Sequence, residues 1–166
     1  MSIHVHFRAV AASGIQEDHT WLAAYLAKAW DDHADECAAG IATSIPKVWH
    51  FVDDLYAAAA DLVGRGAGEP WTLPVHGGRP VAHGAGADLH DPPMIFMDPP
   101  EVARAADFLT AVSFDALWNV AGGRLGGGGP QEALAKEEYL GHHESLRSFY
   151  ARAASSGHAV VKVVWA

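Results

Sequence analysis

Residues 3–10 alternate, with Ile3, Val5 and Phe7 on one side and His4, His6 and Arg8 on the other. That is the period-two pattern of a strand with a buried face. Ser13 and Gln16 have capping-box spacing, and Trp21, Leu22, Tyr25, Leu26 and Ala29 form one apolar stripe, which predicts a helix from there to about residue 39. A second helix is expected after Ser44 as cap and Pro46 in the first turn. Val48, Val52, Leu55, Ala59 and Leu62 recur on it at steps of three and four. Gly64, Gly66 and Gly68 end that helix, and residues 64–93 read as a long ordered loop carrying Trp71-Thr72-Leu73-Pro74-Val75.

Met94–Met97 is a short apolar strand. Asp98-Pro99-Pro100-Glu101 is a capping box opening a helix to about Val112, and Ser113 caps another. The glycine-rich stretch 122–129 reads as a flexible connection. A last helix spans about Lys136 to Ser155, with Leu140, His143, Leu146, Tyr150 and Ala153 inward and Gly157 as its stop. Residues 158–166 are the strongest strand signal in the chain. The pattern predicts an α+β domain over residues 1–166: a small mixed sheet pairing the N- and C-terminal strands, packed by four to five helices.

Composition narrows the function classes. Half of the 166 residues are hydrophobic, enough for a core of its own. A net charge of −9, with no clustered Lys and Arg, argues against nucleic acid and anionic membranes as partners. Cys37 is the single cysteine, so no internal disulfide forms. The first residues lack a signal-peptide core and no run of eighteen apolar residues occurs, so a cytoplasmic location is expected.

Certain residues recur together: Lys47-x-Trp49-His50, then Pro74-Val75-x-Gly77-Gly78, then Pro99-Pro100-Glu101-Val102-x-x-Ala105. Leu109-x-x-Val112-Ser113-Phe114-Asp115-x-Leu117 and Leu146-Arg147-x-Phe149-Tyr150-x-x-Ala153-Ala154 follow. In this order and spacing the chain resembles the YfbM-like domain of unknown function, a bacterial family, best from about residue 44 onward. The resemblance implies an α+β fold and a cytosolic bacterial protein, and it implies no activity. The chain departs from the family at Asp61-Leu62-Val63-Gly64, where the family reads Leu-Leu-Thr-Gly, and in the 122–129 insert.

Trp49-His50 is the most family-like polar position, and an imidazole there suits a pocket acid or base. The plain alternative is a packed Trp49, with Lys47 and His50 bonding the following loop. His76, His83 and His90, seven residues apart with Asp88 and Asp91 nearby, are the candidate metal ligands, although loop spacing fixes no geometry. His4 and His6 share a face simply because they are two apart on a strand. The paired acids fit solvated helix faces, Cys37 beside Asp35 and Glu36 is disfavoured as a thiolate, and no nucleotide-binding or nucleophile motif is present. Trp71, in a Gly/Pro loop, reads as an anchor for a lid or partner.

Two functional expectations follow. The first is a small protein-binding, regulatory module of immunity type, acidic enough to meet a basic partner. The second is a small-molecule binder or enzyme with its pocket between the His50 helix and the 70–97 loop, using Lys47, Trp49, His50, Trp71, His76 and Arg79, with or without a metal. No cofactor is specified by the sequence.

Overall fold

The computed structural model describes residues 3–64, 68–85, 88–90 and 93–165. Gly66 and Asp91, named above, lie outside them. Five strands form one sheet in the order β2-β1-β5-β4-β3. They are β1 (His4–Ala11), β2 (Ala42–Pro46), β3 (Arg79–Pro80), β4 (Met94–Met97) and β5 (His158–Trp165). The expected α+β architecture with paired terminal strands is present. Every pairing is antiparallel, so the sheet is not mixed.

β5 is central, between β1 and β4, which is why its sequence is so apolar: both of its faces are covered. Against one face, with Val5, Phe7, Ala9 and Val160, pack α3 (Trp49–Ala57), α5 (Pro99–Ala111), α6 (Phe114–Leu125) and α7 (Pro130–Ser155). Against the other, with Val10, Phe96, Val161 and Val163, packs α1 (His19–Asp31) through Leu22 and Leu26. The two short helices α2 (His33–Ala38) and α4 (Ala59–Val63) complete seven among the described residues, against the four to five expected.

Local chemistry explains the differences. The first helix starts at His19 because Asp18, not Ser13, accepts the Trp21 N–H, and it breaks at Asp32 into α2. Ser44 and Pro46 cap no helix: they belong to β2, whose Ala42–Pro46 pairs with His4–Arg8. The following helix divides at Ala58. Gly122 and Gly123 continue α6 rather than opening a flexible segment, since Gly122 lies directly against the Trp118 ring and a side chain there would collide with it. The α5 capping box is as expected, with reciprocal bonds between Asp98 and Glu101 of 3.1 and 3.2 Å. No helix among the described residues is long and apolar enough to cross a membrane.

Candidate functional site

The chain after α4 returns through a short 3-10 turn, Pro70–Thr72, and then a tight loop to β3. Trp71 in that turn is 5% exposed and belongs to the main core with Tyr56, Phe108 and Leu109. The indole of Trp71 is drawn inward because the turn lies across α3 and α5, so it holds the turn to the core rather than standing out from the loop.

The loop from Leu73 to Gly78 is fastened from beneath. Lys162 of β5, opposite Phe7 and Ile95, is 2% exposed. Its Nζ donates to the carbonyls of Leu73 (2.6 Å) and Gly77 (2.7 Å). Tyr150 of α7 donates to the Pro74 carbonyl at 2.8 Å. These carbonyls point into the protein and take their donors from side chains, because no ladder supplies them. A Cβ on Gly77 would sit 2.4 Å from Leu73 Cα, and one on Gly78, at φ 115°, 2.7 Å from the Phe96 carbonyl. The Gly-Gly pair is therefore a steric requirement of this loop.

Around this lysine the polar residues of α3 and the loop gather. Burial pulls the Lys162 ammonium well below its ordinary value, and Asp53 and Glu101 act the other way. Burial pushes the half-buried Asp53 carboxyl up, while His76 and Lys162 hold it back. Trp49 packs edge-on against His76 with centroids 5.0 Å apart, and edge-on against His50. This polar centre is held by charge and packing alone, for no hydrogen bond joins Asp53, His76 and Lys162 among the described residues, and the sequence indicated it only in part. Asp53 was hidden in an acidic pair and Lys162 in an apolar strand.

The remaining candidates scatter. Lys47 and His50 are exposed. Arg79 pairs with Glu17 (2.5 and 2.8 Å) and Asp98 (3.4 Å), tying the start of α1 to α5. His76, His83 and His90 are not brought together: His83 meets His19, and His90 sits in an exposed turn whose backbone N–H is held by Asp88. Among the described residues no three His, Cys, Asp or Glu side chains are grouped to hold a metal.

A groove of about 520 Å³ runs between α4, the Pro70–Thr72 turn and α5, walled by Leu62, Val63, Trp71 and Phe108, with Arg104 and Asp107 at its edge. Leu62 and Val63 are 47% and 66% exposed. Arg104 donates to the Gly68 carbonyl (3.0 Å), and Asp107 makes no ion pair among the described residues. Of the sequence candidates, only Trp71 contributes to this groove.

The family model of the domain of unknown function DUF1877 matches residues 1–121. The chain belongs to this family. The DUF1877 match includes β1, the His50 helix, the fastened loop and the groove; the Leu146–Ala154 motif lies beyond it. Among solved structures the chain is similar to YfbM from Escherichia coli, a protein of unknown function. The identity is 17% over 98% of this chain and 99% of that one, with a TM-score of 0.56, a likeness of fold. No curated protein matches.

Proposed function

We propose that the chain is a single-domain protein-binding module of the bacterial cytoplasm, of the regulatory or immunity type, and that the groove beside Trp71 is its recognition surface. The observation that carries this reading is the lip: two branched aliphatic side chains, Leu62 and Val63, stand exposed over apolar walls. Exposed apolar surface rimmed by polar groups marks interaction sites. Arg104 keeps its positive charge while donating to the Gly68 carbonyl, and Asp107 supplies the acidic group of the rim that a basic residue beside the anchor would meet. The occupant that fits is a partner segment with one apolar anchor flanked by Lys or Arg, and the net charge of −9 favours its approach. The polar centre at Lys162 supports a structural role better than a catalytic one, because two loop carbonyls occupy its amine.

The groove volume also falls within the range of small-molecule sites, which keeps the small-molecule reading as the competitor. A random-peptide display selection against the folded chain separates the two. The protein-binding reading predicts enriched peptides of the apolar-plus-basic type, whose affinity falls roughly tenfold or more with Val63→Asp or with the rim-filling Ala111→Trp. No enrichment, combined with a thermal shift produced by one metabolite class and abolished by Ala111→Trp, transfers the groove to a small ligand.

A further inference from the structure

Away from the groove, α7 turns a polar face toward the edge of the sheet. Gly141, Ser145, Ser148 and Arg152 recur on it at steps of three and four, so they share one side of the helix, with Glu144 beside them. Across from them stand Cys37 of α2, Gly40 in the turn, and Thr43 of β2. β2 is an edge strand, and no further strand covers that side among the described residues. A cleft of about 720 Å³ therefore stays open between β2 and α7, with the buried Phe149 in its lining. That volume lies in the range of small-ligand sites.

The two ends of the cleft carry opposite charges. Arg152 is laid against the turn before β2: a Cβ on Gly40, at φ 73°, would sit 3.3 Å from its Cδ and 3.5 Å from its Nη1. A glycine at that position is what admits the arginine. At the other end a Cβ on Gly141 would meet nothing within 4 Å, which leaves the space beside Glu144 open. Neither Arg152 nor Glu144 forms an ion pair among the described residues. Eight positions on one helix separate their Cα atoms by about 12 Å, too far for the two to pair with each other. An arginine fork grips a carboxylate through two N–H groups, and a glutamate accepts from an ammonium. An extended chain of three residues spans about 10 Å. The net charge of −9 repels a plain anion, whereas a zwitterion carries no net charge to be repelled.

We propose that the cleft between α7 and β2 binds a short linear zwitterion, a free peptide of about three residues, with its carboxylate on Arg152 and its ammonium on Glu144. The hydroxyls of Ser145 and Ser148 line the stretch between those ends and meet the peptide's amide groups.

The test is calorimetric titration of the full chain with trialanine carrying free termini, and with its N-acetylated and C-amidated forms. Cys37, the single cysteine, is exposed and supplies a local readout, because a ligand in the cleft slows its modification by a maleimide. One equivalent of trialanine should bind, protect Cys37 and raise the thermal midpoint. Capping either end, or introducing Arg152→Gln or Glu144→Gln, should weaken binding by about tenfold or more. Gly141→Leu fills the cleft from an exposed helix position and should abolish binding, whereas Val63→Asp in the other groove should leave it unchanged. Absence of one-to-one binding, equal affinity for the capped forms, or affinity unaltered by Arg152→Gln and Gly141→Leu in folded protein overturns the proposal.

Discussion

Lys162 shows how much one side chain can set. Its side chain is buried opposite Phe7 and Ile95 while its amine closes two loop carbonyls, so Lys162→Met keeps volume and removes both donors. The expected loss is about 3 kcal/mol of unfolding free energy in urea, with new protease cleavage between residues 72 and 78; a loss below about 0.5 kcal/mol would show that the loop holds itself. Gly77→Ala attacks the same loop through backbone contact at 2.4 Å and should cost about 2 kcal/mol. His6 gives the clearest pH dependence. Enclosed by Trp30, Trp165 and Ser44, it is pulled down to about 4 by burial first and then by His4, His33 and Arg8. The folded state therefore refuses a proton that the unfolded chain accepts near 6.5, so stability contributed by neutral His6 is full above pH 6.5 and falls as the pH drops toward 4. The loss is on the order of 3 kcal/mol. Urea midpoints at pH 7 and pH 4.5 should converge in His6→Val relative to the parent; an unchanged pH dependence would contradict this assignment.

Elements were legible where a short rule decides them. The Asp98–Glu101 box, the Ser113 cap and the β5 run announce themselves because capping and burial act within a few residues. β2 did not, because Ser-x-Pro resembles a helix entrance, and only pairing with β1, almost forty residues away, makes it a strand. The glycines misled for a related reason: Gly122 marks close packing on Trp118, which no local pattern records. Gly141 in the middle of α7 is the contrasting case, exposed and with nothing within 4 Å of a Cβ. Gly141→Ala should stabilise by roughly 0.5–1 kcal/mol, read as a higher thermal midpoint; destabilisation would contradict the open space around that position.

For the whole molecule, the sheet-and-helix architecture and the family could be read from spacing, while the groove could not. Leu62 looks like one more core position of a continuous helix, and nothing local tells that Trp71 is buried; the break at Ala58 and the inward turn at Pro70 expose the aliphatic and bury the aromatic. Asp53 and Lys162 were likewise concealed, one in a charge pair and one among valines, since convergence across 109 residues leaves no local trace. The groove carries the functional reading, and mapping a selected peptide onto the isotope-labelled chain by NMR tests it most directly. Shifts confined to Leu62, Val63, Arg104, Asp107, Ala111 and the Trp71 indole are the expected result. Shifts centred elsewhere, such as the cleft between Cys37 and Arg152, with the Trp71 indole unmoved, would contradict it.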